Sequence, residues 1–330
     1  MLTVTLYMRK DCHLCDQAAE DLAELQAQYP HRLVQIDVEE EGITKYLENI
    51  PVIETGPYKV RAPFDKEKLQ ITLGAAYDRK SQLEEMDTAA HQKRLERGNT
   101  FTFVDRIFYW LSHRYMIVFN LFAFLYAGLA FLAPMLSANG NALPANVIYN
   151  VYGRMCHQLA YRSWFLFGDQ AAYPREAAEI DRLITFEEAT GIDPEDTETA
   201  ISFRGNQDLG FKVALCQRDI AIYGAIFLFG LVFALTKRRI PPLPLLAWVV
   251  LGILPIGIDG VSQIVSQLPW DILPVRESTP LLRTITGTLF GFSTAWFSYP
   301  IIESAMAETR KVLSIKLKSS QDKMISNESE

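Results

Sequence analysis

Four cysteines and five histidines are few for a chain of 330 residues. So thin a supply of thiols excludes the disulfide framework of small secreted domains. Basic residues are not in excess either: 32 Lys and Arg stand against 39 Asp and Glu, a formal net charge of −7. A phosphate-binding surface needs a basic face, and none is evident, so nucleic acid is excluded as a partner. There is no Gly-rich phosphate loop, no Gly-x-Ser-x-Gly elbow and no His-Glu-x-x-His, which removes the usual sequence grounds for nucleotide, serine-hydrolase or zinc-protease chemistry. Met1-Leu2-Thr3 opens no basic stretch, long apolar core or cleavage site, so the first domain is expected to begin in the cytoplasm.

The apolar residues divide the chain. Its first hundred residues are charged and ordinary, whereas the remainder carries apolar runs out of place in a water-soluble domain. Tyr115 to Leu136 holds 22 residues with Asn120 as its one strongly polar member, enough to cross a ~30 Å hydrocarbon core at ~1.5 Å per residue. Further spans are expected at 220–236, 243–265 and 281–302. The parts expected are a thiol-redox domain over 1–80, a linker and interfacial helix over 81–114, a multi-pass membrane domain over 115–305 with an outer acidic insertion at about 169–207, and a cytoplasmic tail over 306–330. The fold class expected is an α/β thioredoxin-like head followed by an all-α transmembrane bundle of about four spans.

Arg106 and Arg114 precede the first span, Lys237, Arg238 and Arg239 separate the second and third, and Arg310, Lys311, Lys316 and Lys318 follow the fourth. With four spans these groups all fall on one side, so both termini are expected in the cytoplasm of a cell-membrane protein.

In the head, Thr3 to Met8 alternates as a strand does, and Leu14, Ala18, Leu22 and Leu25 then recur on one helical face. The junction holds Cys12 and Cys15. A helix N-terminus stabilises a thiolate through its free N–H groups and dipole, and Arg9, Lys10 and His13 could add positive charge. Cys12 is expected to attack and Cys15 to resolve the mixed disulfide. A zinc half-site would need two further ligands that the head lacks, and inert cysteines seldom stand among such charged neighbours. A strand follows at "RLVQIDV", a helix at "EEGITKYLEN", strands at "NIPVIE" and "YKVRAPF", and a helix at "LQITLGAAY".

"LYMRKDCHLCDQAAEDL" with "IDVEEEGITKYLENIPVIE" resembles the small glutaredoxin-like proteins of the thioredoxin superfamily, over about residues 1 to 80. The resemblance implies a cis Ile50-Pro51 bond beside the dithiol, whose backbone positions a substrate peptide or glutathione. It implies no cofactor for the head beyond glutathione as a reductant, and a cytoplasmic thiol or disulfide protein, or glutathione itself, as partner. His13-Leu14 replaces the Pro-Tyr of standard glutaredoxins.

Polar residues of the membrane part gather at the span ends that four crossings place together on the outer face: "YGRMCHQLAYRSW", "CQRDIAIY", "DGVSQ" and "ESTPLLRTITG". Charge at membrane depth needs a partner or a wet cavity, so Asp259 and Arg283 are expected to face the bundle interior. One outer site is expected from Cys156, His157, Gln158, Arg162, Cys216, Arg218, Asp219, Asp259, Gln263 and Arg283. Cys156, His157, Cys216 and Asp219 offer a mixed S/N/O set for a transition metal, and a Cys156–Cys216 disulfide is the alternative. Asp259 with Arg283 reads equally as a structural ion pair and as a substrate or proton site. "CHQLAYRSWFLFG", "CQRDIAIYG", "GIDGVSQ" and "LLRTITGTLFG" resemble a family of prokaryotic membrane proteins of unknown function, over roughly 115–305. The acidic insertion is expected to hold one small surface helix. The functions that follow are a membrane-anchored thiol-disulfide oxidoreductase, or a transporter or metal-binding membrane enzyme regulated by the head.

Overall fold

The computed structural model describes residues 2–41, 43, 46, 49–85, 100–268 and 274–328. The chain falls into two units, Met1–Tyr115 with Glu303–Glu330, and Met116–Ile302.

The first unit is built on a four-stranded sheet in the order β2-β1-β3-β4, with β1 (Leu2–Met8), β2 (His31–Asp37), β3 (Val52–Thr55) and β4 (Tyr58–Arg61). β1 runs parallel to β2 and antiparallel to β3, and β3 pairs antiparallel with β4. The alternation of β1 separates two cores. Leu2, Val4 and Leu6 pack with Ala18, Leu22 and Leu25 of α1 (His13–Leu25) and Leu69, Leu73 and Ala76 of α2 (Lys66–Glu85). Tyr7 faces the other way, onto Val34, Ile36, Val38, Val52 and Tyr46, with Ile315 packed against them. Each buried Leu or Val contributes about 1.5–3 kcal/mol over its exposed state. This is the thioredoxin-like head that the sequence indicates. The helix read over 40–49 lies largely outside the described residues, as do residues 86–99 of the linker.

Glu54 lies where this sheet meets the C-terminal helix. Its carboxylate accepts from Tyr46 at 2.8 Å and pairs with Lys59 at 2.9 Å and Lys311 at 3.0 Å. Burial pushes the Glu54 carboxyl up, but the hydrogen bonds from Lys59, Lys311 and Tyr46 outweigh it and hold it down at about 2. Arg310 is buried as well, donating to the Ser112 and Glu41 carbonyls and pairing with Glu303.

The sequence separates an interfacial helix from a first span, but α3 runs unbroken over Phe103–Ala138. No Gly or Pro interrupts it before Gly128, so nothing stops the ladder of hydrogen bonds. α4 (Ala142–Tyr152) follows, and among the described residues α7 (Gln217–Leu235) and α8 (Leu245–Ser266) are, with α3, the helices long and apolar enough to cross a membrane. Their outward apolar side chains, such as Ile258 and Ile264, are exposed, which suits lipid. α8 carries one π turn, Val249–Ile253, just before Pro255, whose ring cannot fit the ordinary ladder. The stretch 281–302, expected as a fourth span, is the first half of α9 (Pro280–Glu328), and residues 306–328 of the expected tail continue the same helix. Gly287 and Gly291 bring α9 onto α7: a Cβ on Gly291 would lie 2.2 Å from the Ile222 carbonyl oxygen. This is the small-residue contact by which membrane helices approach closely.

Between α4 and α7 lies a three-stranded antiparallel sheet that the sequence reading omits, in the order β5-β7-β6: β5 (Ser163–Leu166), β6 (Gly205–Asn206) and β7 (Gly210–Cys216). The acidic insertion carries two short helices rather than one, α5 (Phe186–Thr190) and α6 (Thr197–Ser202). Gly191, at φ +67°, ends the first, and Thr185 with Glu188 forms its capping box. Tyr173, Phe186 and Ala200 pack with Tyr161 and Phe165 into a core of their own.

Candidate functional sites in the head and the membrane domain

Cys12 is the N-cap residue of α1, with extended backbone, and its carbonyl accepts the N–H groups of Cys15 at 2.8 Å and Asp16 at 3.1 Å. Cys12 and Cys15 are joined as a disulfide, with Cα atoms 5.2 Å apart. Cys15 is fully buried and Cys12 half-buried, so an incoming thiol reaches Cys12 first. Lys10 turns away to pair with Glu40 at 2.6 Å, which leaves the helix terminus as the fixed source of positive potential. The Ile50-Pro51 bond is cis. Pro51 lines a cavity of about 460 Å³ with Leu14, Ala18, Phe64 and Lys66. Leu14 lies between the two cysteines in sequence and is 57% exposed, so the cavity is lined by the residue that separates the pair, while neither cysteine lines it.

In the membrane domain the expected residues resolve into two adjoining clusters. The first holds Cys156, Cys216 and Asp219. Both thiols are free, and their sulfur atoms and an Asp219 carboxylate oxygen lie within 4.8 Å of one another. Cys216 ends β7 and caps α7, its sulfur accepting the Asp219 N–H at 3.5 Å. The hydrogen bond between the two sulfurs lowers the Cys156 thiol and raises that of Cys216, since one proton is shared. Gln158 sits at φ +52° with its side chain buried, and its amide donates to the carbonyls of Tyr149 and Ala214, each at 2.9 Å. Lys212, also buried, donates to the Gln158 carbonyl at 2.8 Å and to that of Ile201 at 2.5 Å. Burial pulls the Lys212 amine down to about 7, with Arg204 adding to the effect. His157 corrects the expected ligand set. Its ring is exposed and stands outside the cluster, because the turn that buries Gln158 aims the preceding side chain outward.

The second cluster is ionic. Asp259 and Arg283 are both buried but do not pair with each other. Asp259 is held by Arg218, by Arg276 at 3.1 Å and by the Ser278 hydroxyl at 2.8 Å. Arg283 pairs with Glu277 and donates to the Gln263 side chain at 2.8 Å, while Gln263 donates to the Asp259 carbonyl at 2.9 Å. Arg162 grips Glu277 with two parallel bonds of 3.0 and 2.9 Å, the bidentate geometry of a strong pair. Glu277 and Arg276 are thus central; Glu277 opens the polar stretch "ESTPLLRTITG" but is not among the expected site residues, and Arg276 lies just before it. Two charged residues just before a span were the available signal.

Residues 3–74 match the glutaredoxin-like domain family (DUF836), and residues 202–297 match the family described as predicted membrane protein (DUF2085). An uncharacterized protein of Methanocaldococcus jannaschii is 23% identical over 193 residues, covering 57% of this chain and 91% of that protein. The chain therefore joins a glutaredoxin-like domain to a membrane domain. The second match takes in Cys216, Asp219, Asp259, Glu277 and Arg283 and begins after Cys156.

Proposed function

We propose that this fusion is a membrane-anchored thiol-disulfide oxidoreductase whose working groups are Cys12 and Cys15. The observation that carries the reading is an accessible sulfur at a helix N-cap, three residues before a buried one, with Leu14 between them in sequence lining a cavity together with Pro51. In the reducing direction the Cys12 thiolate attacks a substrate disulfide, forming a Cys12–substrate S–S bond and releasing the substrate's other sulfur as a thiolate. Cys15 then loses its proton and attacks Cys12, expelling the second substrate sulfur, and the pair ends oxidised. The helix terminus favours the Cys12 thiolate both as nucleophile and as leaving group. Ile50 and Pro51 position the substrate backbone, which belongs to a cytoplasmic thiol or disulfide protein or to glutathione.

Purified full-length protein in detergent tests this. Wild type should reduce insulin or glutathione disulfide when a dithiol reductant is supplied, and Cys12→Ser should lose that turnover. Unchanged turnover in Cys12→Ser rejects the assignment.

A further inference from the structure

We propose that Cys156, Cys216 and Asp219 form a zinc site in the membrane domain, with two thiolates, one carboxylate and an open fourth position. The three donor atoms lie within 4.8 Å of one another. Donors about 2.0–2.3 Å from one tetrahedral ion lie roughly 3.5–3.8 Å apart, so the three close by at most about 1.3 Å to hold it. The donors come from two segments: Cys216 caps α7 and Asp219, three residues on, lies in its first turn, and Cys156 lies in the loop after α4.

What holds the two segments together is independent of any metal. Gln158 bridges the Tyr149 and Ala214 carbonyls, and Lys212 grips the Gln158 carbonyl, so the loop bearing Cys156 is pinned to the strand ending at Cys216. Buried polar groups that lock a ligand loop in place belong to preorganised sites. Arg162 pairs with Glu277, and Arg218 pairs with Asp259 through its terminal nitrogen, so neither forms an ion pair with the two sulfurs, and a metal cation would neutralise them and the carboxylate directly. Paired thiolates select against magnesium and calcium, and a carboxylate third ligand suits zinc better than copper(I). His157 lies outside the donor set, which leaves the fourth position to water or a substrate atom.

The test uses full-length protein carrying Cys12→Ser and Cys15→Ser, so that the head contributes no thiol. Stripped with chelator, reduced and re-equilibrated with zinc, it should retain one zinc ion per chain by elemental analysis. That zinc should protect both remaining thiols from maleimide. Cobalt(II) in its place should give a sulfur-to-metal charge-transfer band. Adding Cys156→Ser or Cys216→Ser should abolish the band, and Gln158→Ala should weaken metal affinity about 10- to 100-fold. Reduced protein that binds no zinc, or whose thiols alkylate equally fast with zinc present, overturns the site. So does a Cys156–Cys216 disulfide as the form isolated from membranes. The maleimide comparison needs no ligand variant, so misfolding of a substituted protein leaves the question answerable.

Discussion

At the scale of single residues the two cysteines of the head differ in what they touch, and that difference is testable. Cys12 is half-buried and Cys15 fully buried, so Cys15→Ser should leave the first attack intact and remove the resolving step. The variant is expected to accumulate a mixed disulfide through Cys12, read as a mass increase on intact protein that a reductant reverses. Glu277 makes a different case. It is buried and takes charge from Arg162 and Arg283 at once, and deleting one partner of a buried ion cluster leaves the others desolvated and unpaired. Glu277→Ala should therefore destabilise the membrane domain by about 3–5 kcal/mol, seen as a lowered thermal midpoint in detergent. Asp259→Asn keeps the shape and loses the charge opposite Arg218 and Arg276, and its loss should fall in the same direction.

Among secondary elements, what was readable in the sequence and what was not follows from how local the signal is. The strands and the first and last helices of the head came through because alternation in Thr3–Met8 and the Leu14, Ala18, Leu22, Leu25 stripe are complete within one element. β7 did not, because Lys212 sits in its middle as a fully buried side chain and breaks the apolar pattern, satisfied only by carbonyls from distant segments. The partner of Asp259 was equally out of reach. Sequence placed Asp259 and Arg283 at one depth, and only the fold assigns Asp259 to Arg218 and Arg276.

Lys212 should also shape the pH response of its domain. Its folded pKa of about 7 lies below the ordinary lysine value of about 10.4, so between those limits the unfolded chain binds the extra proton and stability rises with pH, by at most ~1.4 kcal/mol per unit. Lys212→Met should flatten that rise between pH 7 and pH 10, measured by thermal unfolding. Glu54 acts in the same direction at the acid end of the range. Held at about 2 against an ordinary value of about 4.3, its carboxylate stabilises the first unit above pH 4 and loses that contribution as pH falls toward 2, on the order of 2–3 kcal/mol in all. Glu54→Gln should reduce the loss of stability between pH 4 and pH 2. Asp105, where burial pushes the carboxyl up but Lys316 and Thr102 hold it below its ordinary value, supplies part of what remains.

For the whole molecule, the decisive quantity is the number of crossings. α3, α7 and α8 satisfy the length and apolarity of a span, while the stretch 281–302 of α9 is richer in Gly, Ser and Thr. Its small residues serve close packing, with Gly287 and Gly291 against α7, so its lower apolarity reflects helix contact and is compatible with a place in the bilayer. Four crossings put the Lys and Arg groups at 106–114, 237–239 and 310–318 on one side, which the positive-inside rule makes cytoplasmic. Three crossings would divide them. A membrane-impermeant maleimide separates the two arrangements when applied to intact cells after brief reduction and zinc chelation. With four crossings Cys156 and Cys216 should label from outside, and Cys12 should label only after permeabilisation. Reporter fusions at both ends should then report the cytoplasm. Labelling of Cys12 in intact cells, or termini on opposite sides, would remove the cytoplasmic thiol partner from the proposed reaction, because the head would then meet the substrates of an oxidising compartment.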